Sequence, residues 1–394
     1  MSKLNISGLR EDTIGCQQVV HFNNAGAALP PKPVTFAIKH HIDLEASIGG
    51  YEAAAAVKDE SELFYDLAAR LINCSRDEIA YAHNATHAWN MAFCSLDFKA
   101  NDKILTCQSE YASNYLAFLH IAKHKGVVID IIPNDDHGQL DIEMLRKKID
   151  VQVKLIAITH VPTQGGLINP VSEVGSIAKQ YGILFLLDAT QSIGQMPVDV
   201  EEIKCDFLCA TGRKFLRGPR GTGFLYVSKS VIQECNPPFI DLHSAILIKT
   251  NYYELKNNAS RFETWEQNIA AKLGLKTAIQ YSLHLGLSET WKRIQHLAKL
   301  LRECLAEIDG IKIQDLGLNK CGIISFTCKN KSPKELKNYL ATKNMNVSVS
   351  LQEYAPLDLV QRKIPSLVRA SLHYYNTEEE IILFCDELIK IKTI

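Results

Sequence analysis

Apolar positions in the middle of the chain alternate between two patterns. "VKLIAITH" (Val153–His160) is a continuous apolar, β-branched run, as expected of a strand buried on both faces, and "ILFLLDA" (Ile183–Ala189) and "DFLCAT" (Asp206–Thr211) read as two more buried strands. Between the first two, Pro170 opens "VSEVGSIAKQYG", whose apolar spacing and terminal glycine predict a helix. Strands separated by helices predict βαβ units and a mostly parallel sheet covered on both sides. In such sheets ligands gather beyond the carboxyl ends of the strands.

After about residue 270 the rhythm changes. "SETWKRIQHLAKLLRECLAEI" reads as a long amphipathic helix, followed by strand-like "GIISFT", the helix "PKELKNYLATKN", strand-like "MNVSVS" and "LVRASL", and a final helix. Thr377 and Glu380 match a capping box at the start of that last helix. The pattern divides the chain into an N-terminal segment (1–30) that packs across a cleft, a large α/β domain (31–270) and a small α+β domain (271–394). The N-terminal segment shows no helix period.

Composition narrows the function classes. At 394 residues, with 46% hydrophobic and 22% charged residues, this is an ordinary globular chain of about two domains. A formal net charge of −1 gives no footprint for nucleic acid or an anionic membrane. The polar start lacks a signal peptide's apolar core, and apolar runs such as "ILFLL" fall far short of a membrane span. Eleven scattered cysteines without a C-x-x-C pair argue against a disulfide framework or a metal site. The expectation is a cytoplasmic protein with no metal.

The candidate chemistry centres on "DFLCATGRKFLRGPRGTGFLYV" (Asp206–Val227). Its glycines invite phosphate-loop readings, but a strand rather than a helix follows them, and Lys214 precedes them. Asp188 ends a buried strand, where ligands bind. An acid at one strand end and a lysine after a later strand suit pyridoxal phosphate. That cofactor needs a lysine for its Schiff base, an acid to keep its ring nitrogen protonated, and donors for its phosphate.

With these residues in view, the chain resembles the class V aminotransferases of fold type I, a group that includes cysteine desulfurases, selenocysteine lyases and other carbon–sulfur lyases. The matching pieces run in order: "HFNNAGAA", "HNATHAWN", "SEYASN", "THVPTQGGLINPV", "LLDATQSIGQMPVDV", "ATGRKFLRGPRGTGFLYV", "RFETWE" and "VRASLHYYNTEEEI". The resemblance implies a large domain with a seven-stranded type of mostly parallel sheet, a smaller C-terminal domain, a homodimer, and a small amino-acid substrate. By position it makes Lys214 the covalent anchor and Asp188 the partner of the ring nitrogen. Gln191 would bond the phenolic oxygen, with Thr163 on the flanking loop. Thr86, the amide of His87, Thr211 and Arg213 would hold the phosphate, and Tyr111 would stack on the ring. Arg213 stands where many relatives carry histidine. Arg369 would grip the substrate's carboxylate, with Asn23 and Asn24 lining the pocket. Arg261, Glu263 and Thr264 lie where relatives reach across a dimer interface, and are open to structural or catalytic roles. Arg217 and Arg220 stay unassigned, with a surface or interface role expected.

The reaction is read from what is missing. A cysteine desulfurase needs a nucleophilic cysteine on the loop before the carboxylate-binding arginine. Here Ser348–Ser371, "SVSLQEYAPLDLVQRKIPSLVRAS", contains none. Direct β-elimination from a cysteine-like or S-substituted cysteine substrate needs no such thiol, so a carbon–sulfur lyase is the favoured reading. The alternatives are an aminotransferase or an epimerase similar to isopenicillin N epimerase, a desulfurase using some other thiol, and, more remotely, a non-catalytic binding protein on the same fold.

Overall fold

A computed structural model describes residues 4–393. Seven strands form the large sheet: β1 (Ile79–Ala82), β2 (Lys103–Cys107), β3 (Val128–Ile132), β4 (Val153–Thr159), β5 (Leu184–Asp188), β6 (Phe207–Thr211) and β7 (Gly223–Val227), in spatial order β1-β7-β6-β5-β4-β2-β3. The run from β6 to β3 is parallel, and only β7 runs antiparallel to both of its neighbours. The three continuous apolar runs are therefore neighbouring parallel strands. Alternate side chains explain why they need no polar positions. Leu105, Ile156, Phe185 and Leu187 face one side, against Phe64, Val174, Ile177 and Leu275. Ile104, Leu155, Leu186 and Phe207 face the other, against Trp89, Phe93 and Phe118.

The predicted helix spans Val171–Tyr181 and ends at Gly182, whose φ of +66° is the left-handed conformation that a glycine adopts without strain. Gly175 in that helix lies so close to the Ile203 carbonyl that no Cβ fits between them.

A second sheet orders Ile311–Ile313, Ile323–Cys328, Ser366–Ser371 and Ser348–Leu351, all antiparallel. The helices Leu287–Ala306, Pro333–Thr342 and Glu378–Thr393 accompany it, and Leu297, Leu301, Ile324, Phe326, Val368 and Phe384 share a core. Both halves of the expected capping box form. Glu380 N donates to Thr377 Oγ1 at 3.3 Å, and Thr377 N to Glu380 Oε2 at 3.2 Å.

The N-terminal segment is more structured than its lack of period suggested. Ile6–Glu11 and Asn24–Ala27 are helical, too short to carry a periodic signal. Val20–His21 pairs in parallel with Met345–Asn346, and Phe22 enters the core of the second sheet.

Arg217 departs from its expected surface role and is 1% exposed. Its guanidinium donates to Leu29 O (2.8 Å), Tyr374 Oη (2.8 Å) and Thr13 Oγ1 (2.5 Å), and sits 4.5 Å from the centre of the Tyr375 ring. It ties the lysine loop to the N-terminal segment and the C-terminal region. No helix among the described residues is long and apolar enough to cross a membrane.

Candidate active site

The carboxyl ends of the parallel strands open into one cleft of about 150 Å³. Each wall follows a strand: Asn84 and Thr86 after β1, Tyr111 and Asn114 after β2, Val161 and Thr163 after β4, Asp188 and Gln191 at and after β5, Thr211, Arg213 and Lys214 at and after β6. Eight of the expected site residues meet here although their positions span 86 to 214.

Lys214 is buried in this cleft. Burial, reinforced by the charges of Arg213 and Arg369, pushes its amine down to about 7, with Asp188 opposing. A lysine so depressed holds a large neutral fraction near physiological pH, the form that attacks a carbonyl or takes a proton.

Asp188 is fixed from two sides. Its Oδ1 accepts from Thr190 N at 2.9 Å and its Oδ2 from Asn114 Nδ2 at 2.8 Å. Arg369, on Ser366–Ser371, donates to Thr163 O (2.9 Å) and Thr163 Oγ1 (2.8 Å), and burial with the charge of Arg213 lowers it to about 10. Its Nε is buried with no partner among the described residues.

The N-terminal segment contacts residues of the cleft: Gln191 Nε2 donates to Ala25 O at 3.2 Å, the Arg213 guanidinium to Gly26 O, and Ala28 N to Arg213 O at 2.9 Å.

Several expected roles change in detail. The His87 amide donates to Asn84 Oδ1 at 2.9 Å, because Asn84 caps this helix itself, so it is not open to a phosphate. That leaves the amides of Ala85 and Thr86 at the positive end of the helix, both residues lining the cleft. The Thr211 hydroxyl donates to Thr222 O at 3.2 Å. Gln191 keeps its buried Oε1 without a partner, while its Nε2 directs one proton to Ala25 O and has a second proton for a phenolic oxygen.

Asn24 is excluded from a pocket role. Its Nδ2 donates to His21 O (3.1 Å) and Ser371 O (2.7 Å), and its Oδ1 accepts from Tyr375, all inside the protein. Asn23 is half-buried beside Ser371 and, like Asn24, does not line the cleft.

Arg261 and Glu263 lie outside the cleft. Arg261 donates to Lys256 O and Ile232 O, and Glu263 accepts from Tyr65, the Tyr81 amide and Gln267, with His243 Nε2 3.1 Å away. Thr264 beside them is half-buried, and Arg220 is exposed.

Glu110 and Asn114 were not singled out from the sequence. Both are buried, and Asn114 Nδ2 lies 2.8 Å from Glu110 Oε1 and 2.8 Å from Asp188 Oδ2. The available signal was a Glu–Asn pair four residues apart at a helix start.

The donor set fits pyridoxal phosphate: a fixed acid at a strand end, a depressed lysine, a helix N-terminus and the unpartnered Arg369 Nε. A large parallel sheet with this cleft at its carboxyl edge defines a fold type I pyridoxal-phosphate enzyme. The family model for Aminotransferase class-V matches residues 20–384, and the chain belongs to that family.

Relatives named "Probable cysteine desulfurase" include those of Pyrococcus abyssi, 33% identical over 392 residues with 97% of each chain covered, and Methanothermobacter thermautotrophicus, 30% identical over 390 residues with the same coverage. Among solved structures, the apo cysteine desulfurase of Thermococcus onnurineus superposes with a TM-score of 0.92 at 29% identity, covering 100% of both chains. The cystine C–S lyase C-DES, in complex with its product cysteine persulfide, superposes at 0.86 with 21% identity, covering 96% of this chain and 99% of its own, a likeness of fold.

Proposed function

We propose that this enzyme is a carbon–sulfur lyase that cleaves the Cβ–S bond of a cysteine-like or S-substituted cysteine substrate by β-elimination. The observation that carries the proposal is a cleft containing Lys214 and lying beside Arg369, with no cysteine among its lining residues. The segment that would carry a desulfurase's thiol is instead folded down. Pro356–Gln361 is a helix, Gln108 Nε2 donates to Leu357 O at 2.5 Å, and Gln164 Nε2 donates to Asp358 Oδ2 at 3.0 Å. The nearest thiol by sequence to the site, Cys209 on β6, is buried and pushed well up by burial and by Asp188, so it stays protonated.

In this reading the Arg369 guanidinium holds the substrate carboxylate, and Thr163 fixes its orientation. Pyridoxal phosphate, when bound, accepts the electron pair left at the substrate's α-carbon. The neutral Lys214 amine takes the α-proton, that electron pair expels the sulfur, and the leaving thiolate takes a proton. Hydrolysis of the three-carbon remainder gives pyruvate and ammonia.

A second copy of the chain is the proposed partner, supported by exposed Phe36 and Tyr51 on the consecutive helices Lys32–Ile48 and Gly50–Ala56 and by the exposed apolar hairpin Ile246–Tyr253. Eleven unpaired cysteines support a reducing, cytoplasmic setting.

The deciding experiment incubates the holoenzyme with cysteine, cystine and S-substituted cysteines. Pyruvate is expected with sulfide from cysteine, cysteine persulfide from cystine and a thiol from S-substituted cysteines. Alanine with transferable sulfur would instead establish a desulfurase, as the relatives' names suggest, and a keto acid without sulfur loss would establish transamination.

A further inference from the structure

Behind Asp188 stands a second carboxylate. Glu110 is 1% exposed, and its Oε1 accepts from Thr159 Oγ1 (2.5 Å), Asn114 Nδ2 (2.8 Å) and Tyr111 N (2.8 Å), while its Oε2 accepts from Thr106 Oγ1 (3.0 Å). Burying a carboxylate costs several kcal/mol unless donors surround it, and an apolar side chain would fill this space more cheaply. Four donors from three segments of the chain converge on Glu110. The Asn114 amide nitrogen carries two protons and directs one to each carboxylate, at 2.8 Å in both cases.

We propose that Glu110 and Asn114 are positioning residues for the cofactor's ring nitrogen: Glu110 orients the Asn114 amide, Asn114 holds Asp188 in place, and the Glu110 charge adds to the negative potential behind it. This rests on the reading of Asp188 as the ring-nitrogen partner.

The geometry has an electrostatic consequence. Asp188 alone, fixed by two donors, has part of its charge neutralised by them. A second carboxylate one amide away restores negative potential along the same line and raises the proton affinity of a nitrogen placed against Asp188. Burial together with the charge of Asp188 raises the Glu110 carboxyl to about 7, against the hydrogen bonds of Thr159 and Asn114. The other titratable groups facing it are Cys107 on β2, whose thiol burial pushes up to about 12, and Cys209 on β6, also pushed up. Both thiols stay neutral over the working range, so next to Glu110 the charge is that of Asp188, which in turn faces Lys214.

The test uses the holoenzyme and the variants Glu110→Gln, Asn114→Ala and Asp188→Ala. Each apo form is reloaded with pyridoxal phosphate to obtain a Kd, and the visible band of each loaded form is titrated with pH. Asn114→Ala is expected to weaken cofactor binding about tenfold, the worth of one hydrogen bond to a charged group. Glu110→Gln is expected to lower the midpoint of the absorbance titration by about half a unit or more, with wild-type apo melting. A purely structural role would shift melting and leave the midpoint in place, and that result overturns the proposal. Should Glu110→Gln fail to fold, Asn114→Ala decides alone: an unchanged Kd and midpoint overturn it. If Asp188→Ala itself behaves as wild type, the ring-nitrogen assignment falls and the relay with it. If Asp188→Ala shifts both readouts while the other two variants do not, only the relay falls.

Discussion

Arg369 donates two hydrogen bonds to Thr163, one to its carbonyl and one to its hydroxyl, across 206 residues of sequence. The pair joins the second sheet to the loop after β4 and leaves the guanidinium plane fixed at the edge of the cleft. Arg369→Lys keeps the charge but removes the fork that binds a carboxylate through two parallel bonds. The expected result is a rise in KM of about 10- to 100-fold with a smaller change in kcat, since a bond to a charged group contributes about 1.5–3 kcal/mol. Steady-state kinetics on the substrate identified above checks it. A fall in kcat at unchanged KM would place Arg369 elsewhere in the reaction.

Lys214 predicts a pH dependence of the apo protein. Its folded pKa, about 7, lies below the ordinary lysine value of 10.5, so between these the unfolded chain binds the proton and the folded one does not. Stability therefore rises with pH from about 7 toward 10.5, and the burial penalty is fully present below 7. Lys214→Met is expected to melt higher than wild-type apo protein at pH 7, with the gap closing by pH 10. The same variant should lose activity by about 10²–10⁴-fold or more, the contribution of a positioned base. A constant gap in melting temperature across this range would refute the electrostatic reading.

Arg217 is a keystone outside the chemistry. Arg217→Ala leaves the buried Leu29 carbonyl, Tyr374 hydroxyl and Thr13 hydroxyl without their shared donor. Each unsatisfied buried group costs about 1–3 kcal/mol, so chemical denaturation should show a loss of about 3 kcal/mol or more. The backbone at Arg217 has φ of +62° and its amide donates to Lys214 O at 2.9 Å, so cofactor retention should fall as well.

Gly175→Ala tests the packing of the large sheet. The added methyl meets the Ile203 carbonyl at less than contact distance, and backbone must move to admit it. Alanine favours a helix by up to about 1 kcal/mol, but overpacking costs about 1–3 kcal/mol, so net destabilisation is expected in a melting experiment. A stabilised variant would show that the adjoining segment yields freely.

Much of the architecture was legible because its signals are local. The β4, β5 and β6 runs needed no partner to be read: a strand whose apolar residues run on without alternation is buried on both faces. The capping box of Thr377 and Glu380 spans only three residues. The short helices Ile6–Glu11 and Asn24–Ala27 were missed because neither completes a period. Asn24 was misplaced because an asparagine in a pocket motif reads the same whether its amide faces a ligand or, as here, Ser371. The His87 amide was misassigned because Asn84 looked like part of a binding motif rather than the cap that engages it.

What the sequence determined by itself was the central apolar strands and the helix after Pro170, the presence of Lys214 and Asp188 at strand ends, and the lack of a cysteine between 348 and 371. These follow from periodicity and residue identity, which require no knowledge of distant contacts. Tertiary structure alone decided which polar groups face one another. Asn114 meets Asp188 across 74 residues, and Arg217 meets Tyr374 across 157. A buried charge is defined by its neighbours, and chain folding brings those neighbours from segments whose local patterns say nothing about each other.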